Sequence, residues 1–303
     1  MSKKVSVVIP SYKGSDNICR SVDSVLNQTY ENVEIIVVDD NGRGTEEQLK
    51  TQAVLKKHID DGKVIYLTHE VNINGSAARN TGVKASSGEF IAFLDDDDEF
   101  RPQNIENHIK KFETLSEDYG ITYCAKCLIH KDGRQEIITP KYEGDILFDF
   151  MCSRVRMGSS FIMVRKSAFE AVHGFDETFR RHQDWEFIAR VLVHFKVAKI
   201  EDVGLNKFLI FRNSAKSPEQ FEKNRLYYLE RLKFIIDSFD KKKQTAIYDS
   251  HYSQIGKEYF KAKKFRQSFV WAKKTSSPCK CVIGYFSSGL NFLKRKLLGK
   301  MFK

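Results

Sequence analysis

The sequence predicts an α/β protein, a mostly parallel sheet flanked by helices, with a helical extension at its carboxy-terminal end. Three observations lead there. Short apolar runs alternate with amphipathic stretches through roughly the first third of the chain. Two of those runs end directly in aspartates, Val37-Val38-Asp39-Asp40 and Phe93-Leu94-Asp95-Asp96-Asp97-Asp98. Charge is unevenly divided: residues 241–303 hold sixteen Lys and Arg against two acids, Asp249 and Glu258, a balance of +14 that leaves −4 for residues 1–240. That contrast marks a boundary. At 303 residues and 41% apolar content the chain can bury one full core plus an appendage. The expected division is 1–217 and 218–303.

Each element has its own signal. Residues 5–9 are an apolar strand closed by Pro10-Ser11-Tyr12, and residues 16–28 a helix with Ile18, Val22, Val25 and Leu26 on one face, capped by Ser15 or Asp16. A buried strand at 33–38, a helix at 45–58, a strand at 64–68 and a helix at 75–85 follow before the strand that meets the aspartates. A later strand covers 121–130, and Phe187, Val191, Leu192 and Phe195 place a helix over 185–195. Beyond it, 218–239 reads as one charged amphipathic helix and 244–275 as a helical pair with aromatic spacing.

The acidic run carries the strongest chemical signal. Adjacent carboxylates repel and resist desolvation, so a fold gains nothing from them unless a cation neutralises the cluster. A strand that delivers them to its carboxyl end places them where open α/β sheets bind ligands. Hard oxygen ligands suit Mg²⁺ or Mn²⁺, and these suit a diphosphate. If the segment is extended, Asp95 and Asp97 point one way and Asp96 and Asp98 the other. No Gly-x-Gly-x-x-Gly follows the first strand and no Gly-Lys-Ser/Thr occurs, so phosphate has to be met by metal and side chains. The six cysteines are scattered and the amino terminus lacks a signal-peptide core, which points to a reducing cytoplasm. Cys124 and Cys127 fall within a strand rather than a knuckle turn, which argues against zinc.

Val5-Ser-Val-Val-Ile-Pro-Ser-Tyr12, Ser24-Val-Leu-Asn-Gln-Thr-Tyr30, Glu34-Ile-Ile-Val-Val-Asp-Asp-Asn41, Ala77-Ala-Arg-Asn-Thr-Gly82, Gly88-Glu-Phe-Ile-Ala-Phe-Leu-Asp-Asp-Asp-Asp98, Gly174-Phe-Asp-Glu177 and Gln183-Asp-Trp-Glu186 occur in this order. Together they resemble a family 2 glycosyltransferase of the GT-A fold, over residues 4 to about 217. The resemblance implies a UDP-sugar donor, with Pro10 and Tyr12 at the nucleotide and Tyr12 stacking on the base. Asp40 would accept from the uracil N3–H, with Asp39 as the alternative. Asn74 and Gly75 would bring backbone near the donor, and Arg79 would meet its diphosphate or sugar. Asp95 and Asp96 would reach the ribose and phosphate side, and Asp97 would ligate the metal. Asp184 would be the general base, with Glu186 as its rival and Gln183 standing where relatives carry Glu. The late metal-site histidine of many relatives is missing from residues 209–217, where Arg212 or Lys216 would take over its charge, while His182 would face the acceptor.

The implied activity is an inverting, single-displacement transfer of a hexosyl or N-acetylhexosaminyl group to a hydroxyl of a saccharide acceptor. Residues 286–303 put Leu290, Leu293, Leu297 and Met301 on one stripe among lysines, as a helix lying on an anionic membrane surface does. The expectation is therefore a peripheral protein on the inner face of the cell membrane, acting on a lipid-linked saccharide in surface-polysaccharide synthesis. A docking helix for an oligomer is the other reading of that stripe, and nothing upstream reads the bases of a nucleic acid. The rival to catalysis is a nucleotide-sugar-binding scaffold, made thinkable by Gln183 and the missing histidine.

Overall fold

The computed structural model describes residues 2–209 and 217–285. Within those residues the chain divides into two compact units, 2–147 with 155–209 and 148–154 with 217–285. Arg212, Lys216 and the stripe at 286–303 lie outside the described residues.

The first unit begins with β1 (Val5–Ser11), α1 (Ile18–Leu26), β2 (Val33–Asp39), α2 (Glu46–Asp60), β3 (Ile65–Thr68), α3 (Gly75–Ala85) and β4 (Phe90–Phe93). β5 (Asp98–Phe100), α4 (Asn104–Glu113), β6 (Tyr119–Ile129) and β7 (Gln135–Ile138) follow. The short α5 (Leu147–Met151) crosses into the second unit, and β8 (Ile162–Arg165), α6 (Lys166–Ala171), α7 (Gln183–His194) and β9 (Lys196–Phe208) complete the first.

One sheet runs β3-β2-β1-β4-β8-β6-β9-β5, with β7 on β6. The β3-β2-β1-β4 part is parallel; β1, β2 and β4 are rich in buried Val, Ile and Phe, as strands inside a parallel sheet are, and β3 at the edge is half-exposed. From β4 onward antiparallel pairing enters through β8, β7 and β5, so the sheet as a whole is mixed. The register of β1 sets Ser11 opposite Asp39, and β4 ends one loop away, so both acidic strand ends meet the first turn at the same edge.

Caps set the helix boundaries. α2 starts after Thr45, whose hydroxyl accepts from the Gln48 N–H, and α3 after Asn74, whose Oδ1 accepts from Ser76 and Ala77 N–H. α1 is shorter than its apolar pattern and begins after Asn17, not Ser15 or Asp16. Four rings, Phe93, Phe169, Phe175 and Phe187, pack with centroids 4.3 to 6.4 Å apart. Burying each such ring stabilises by about 1.5–3 kcal/mol, and the cluster ties α7 to the strand that ends at the aspartates.

In the second unit, α8 (Pro218–Arg231) and α9 (Lys233–Asp237) replace the single expected helix, with Leu232 as the break between them. α10 (Lys241–Lys261) and α11 (Phe265–Lys273) form the expected pair. Ile255, Tyr259 and Trp271 form its core, with Phe221 and Tyr252 against them. No described helix is long and apolar enough to cross a membrane.

Candidate active site

Where β1 and β4 end, a cavity of about 270 Å³ opens. Pro10, Tyr12, Asp40, Arg79, Asp95, Asp96 and Asp97 all line it, joined by Ser11, Gly75, Ala78 and Gln183. Tyr12 is 45% exposed, an unusual setting for a tyrosine of a folded core and a suitable one for a ring that stacks on a ligand.

The aspartates do not alternate. Residues 96 and 97 form a turn closed by the Asp98 N–H on the Asp95 carbonyl at 3.1 Å, which brings Asp98 round to the side of Asp95 and Asp97. One carboxylate oxygen from each of these three lies within 4.8 Å of the others. The extended-chain expectation fails because the apolar strand ends at Phe93 and the next residues turn. Asp96 instead points into β1: its Oδ2 accepts from Ser11 Oγ at 3.0 Å and from the Tyr12 N–H at 3.2 Å. Gly14 makes room for it, since a Cβ there would lie 1.8 Å from that oxygen.

Two cations hold the cluster together. Arg79 donates from Nη2 to Asp95 Oδ1 at 2.7 Å and from Nη1 to the Gly75 carbonyl and Gln183 Oε1. Its Nε is buried without a hydrogen-bond partner among the described residues. Lys207 sits opposite Asp98 in the β5–β9 pairing and places Nζ 2.6 Å from Asp98 Oδ2 and 3.6 Å from Asp95 Oδ2. Burial raises the Asp95 pKa, but Lys207 and Arg79 outweigh it and hold the carboxyl well below the usual range. Asp98, fully buried, goes the other way: desolvation first, then the neighbouring Asp95 and Asp97 charges, push it up against the pull of Lys207. Its Oδ1 is buried with no hydrogen-bond partner among the described residues. An orphaned carboxylate oxygen within a three-carboxylate set of hard oxygen donors fits a divalent cation such as Mg²⁺ or Mn²⁺.

Asp40 reaches the cavity with its carboxylate already engaged. Oδ1 bonds His69 Nδ1 at 2.7 Å and the Ile73 N–H at 2.9 Å, and Oδ2 accepts from Asn72 at 2.7 Å. Asp39 is fully buried and bonded to Asn41 and Tyr66, which makes it structural. Asn74 is nearly buried as the cap of α3 and donates to the Glu177 carbonyl at 2.7 Å.

Asp184 occupies the first turn of α7, behind Gln183. Desolvation raises its pKa, with Arg79 opposing and Asp95 adding to the rise. Gly158 lets backbone come close, because a Cβ there would lie 3.1 Å from Asp184 Oδ2. Glu186 is different in kind: it is buried, with Oε2 on Arg190 Nη2 at 2.7 Å and Oε1 on Arg190 Nε. Both of its oxygens are therefore engaged by one guanidinium rather than presented to a ligand. His182, left-handed before α7, stacks on Trp185 with centroids 4.9 Å apart.

Reading the sequence alone passes over Lys207, His69, Asn72 and the Asp96–Ser11 bond. Each acts across the sheet from a partner far away in the chain, and the only linear signal was the polar content of two strand ends.

The model for glycosyl transferase family 2 matches residues 6–172. The amylovoran biosynthesis glycosyltransferase AmsB of Erwinia amylovora is 27% identical over 236 residues, 75% of this chain and 77% of AmsB. WfaP of Escherichia coli, a UDP-Glc:α-D-GlcNAc-diphosphoundecaprenol β-1,3-glucosyltransferase, is 37% identical over 110 residues, 36% of this chain and 41% of WfaP. Four further relatives are matched over 31% to 64% of their own length. Among solved structures, S. aureus TarS 1–349 with UDP-GlcNAc superposes with a TM-score of 0.59 at 16% identity, covering 88% of this chain and 89% of that one. The mannosyltransferase PcManGT from Pyrobaculum calidifontis, with GDP-Man and Mn²⁺, gives a TM-score of 0.62 at 13% identity, covering 95% and 80%. Both likenesses establish the fold.

Proposed function

The chain belongs to glycosyl transferase family 2, and from that premise we propose that it transfers a sugar from a UDP-sugar to a hydroxyl of a lipid-linked saccharide with inversion at the anomeric carbon. The observation that carries the reading is the cluster Asp95, Asp97 and Asp98 at the end of β4, facing Arg79 in a cavity edged by Tyr12. AmsB and WfaP, named for polysaccharide synthesis and a diphosphoundecaprenol acceptor, support the pathway class and the lipid-linked acceptor.

In this reading Pro10 and Tyr12 hold the nucleobase, with Tyr12 across its face. Asp40 is oriented for the base by His69 and Asn72. Asp97, with Asp95 and Asp98, would hold Mn²⁺ or Mg²⁺. That ion, when bound, neutralises charge that develops on the departing diphosphate. Arg79 and Asp95 position the sugar and diphosphate, Asn74 and Gly75 let backbone approach, and Arg212 adds positive charge. Asp184 takes the proton of the acceptor hydroxyl as its oxygen attacks the anomeric carbon and the bond from that carbon to the diphosphate oxygen breaks. The upward shift that desolvation causes makes its carboxylate a stronger base for that proton. The basic segment 286–303 brings the protein to the inner face of the membrane, where such acceptors lie.

A panel of UDP-sugars with GDP-Man as counter-probe tests this, scored by nucleotide release and by thermal stabilisation with Mn²⁺. One UDP-sugar should be hydrolysed slowly and raise Tm as RT ln(1 + [L]/Kd) requires. Stabilisation by GDP-Man alone would overturn the donor assignment. Binding of a UDP-sugar without transfer to any saccharide acceptor would favour the scaffold.

A further inference from the structure

Lys126 of β6 carries an ammonium with no hydrogen bond and no ion pair among the described residues. Its Nζ lies over the Phe161 ring, 3.8 Å from the centroid, and its side chain is half-buried. Lys207 and Arg156 place positive charge around it, and Asp98 a negative one. Desolvation, then Lys207, with Arg156 contributing, bring its pKa down to about 8 in spite of Asp98. Arg156 is exposed and is also without a partner among the described residues. A half-buried ammonium that makes no ion pair among the described residues is costly, and perturbed groups of this kind are concentrated at functional sites.

Phe161 links this lysine to the candidate base. A Cβ on Gly158 would lie 3.1 Å both from the edge of the Phe161 ring and from Asp184 Oδ2, so ring and carboxylate flank the same glycine. Lys126, Phe161, Gly158 and Asp184 thus form one strip, and none of the four lines the cavity that holds Tyr12 and Asp97.

We propose that Lys126 and Arg156 form an anion subsite for the acceptor, which carries a phosphate group near the hydroxyl that Asp184 deprotonates. This rests on the transferase reading above. A lysine point charge and an arginine fork together match phosphate oxygens, and binding would give the Lys126 ammonium a counter-charge. The phosphate could belong to a lipid-linked sugar diphosphate or to a sugar phosphate without lipid.

The first test uses inorganic phosphate on protein saturated with UDP and Mg²⁺, so that the donor cavity is filled, followed by ³¹P line broadening. Lys126→Met and Arg156→Gln should each weaken phosphate binding about tenfold. Lys126→Arg should restore it, which a collapsed fold would not. Phosphate affinity equal in wild type and Lys126→Met would overturn the subsite. The second test compares a short-chain lipid N-acetylglucosaminyl diphosphate, lipid-free N-acetylglucosamine 1-phosphate and a neutral octyl glycoside as acceptors. The phosphorylated acceptors should be preferred, and Lys126→Met should abolish the preference. Equal use of both phosphorylated acceptors assigns recognition to the phosphate, and use of only the first assigns it to the lipid-linked form. A preference that survives in Lys126→Met would overturn the proposal. Phosphate bound through Lys126 with no acceptor glycosylated would count against the transferase reading and leave the subsite standing.

Discussion

Asp184 and Glu186 stand two residues apart in the first turn of α7, yet their surroundings give them different chemistry. Glu186 is locked to Arg190, while Asp184 sits beside Gly158 within the field of Arg79 and Asp95. Asp184→Asn should lower kcat by a factor of about 10² to 10⁴ while UDP-sugar affinity is kept. Glu186→Gln should act on the fold, because it leaves a buried guanidinium without its counter-charge at a cost of about 3 kcal/mol. Urea unfolding together with single-turnover kinetics separates the two, and wild-type kcat in Asp184→Asn would remove it as the base. His108 offers a pH test. It is buried against Thr122 Oγ1 at 2.7 Å, and desolvation lowers its pKa to about 3. A folded-state pKa below the unfolded value means that the unfolded chain binds the extra proton. Stability is therefore full above about pH 6.5 and falls as pH drops toward the folded value. Near pH 5 the loss attributable to His108 should be about 2 kcal/mol. Unfolding curves of wild type and His108→Gln at pH 7 and pH 5 should differ less at the lower pH.

At the scale of elements, the site is built from strand ends and the turns that leave them. The first turn cradles Asp96 because Gly14 has no side chain, and the four-aspartate segment turns because β4 stops at Phe93. Gly14→Ala would force the Asp96 carboxylate off Ser11 and displace the Tyr12 N–H bond with it. We expect UDP affinity to fall about tenfold with unchanged far-UV circular dichroism, because the sheet does not depend on that contact. UDP affinity equal to wild type, measured by calorimetry with Mn²⁺, would show that the cradle is only structural. The helix expected over 218–239 breaks at Leu232, whose side chain is 1% exposed. The apolar stripe alone gave no sign of that break.

For the molecule as a whole, the charge asymmetry and the two units recorded in the fold point to separate tasks for the two parts. Deleting residues 286–303 removes five Lys and Arg together with the apolar stripe. Each basic residue near an anionic surface contributes about 1 kcal/mol. The truncated protein should leave anionic liposomes in a flotation assay and still release UDP from its donor in solution. Liposome binding equal to the full chain at moderate salt would assign the stripe to internal packing or to self-association.

Sequence by itself determined the fold class, the order of strands and helices from β1 to β4, and the edge where the candidate cavity lies. These follow from local apolar periodicity and from acids at strand ends, both of which are written along the chain. It also named most of the residues that line the cavity, because loops at strand ends project there whatever the details of packing, while Asn74 and Asp184, named with them, do not line it. Only the tertiary structure decided how those side chains are engaged. It put Lys207 across from Asp98, engaged Asp40 with His69 and Asn72, withdrew Glu186 into an ion pair with Arg190 and set Lys126 over the Phe161 ring. Electrostatic interactions depend on distance and burial between residues more than 100 positions apart, as in the pair Asp98–Lys207, and periodicity in a sequence carries no record of such distances.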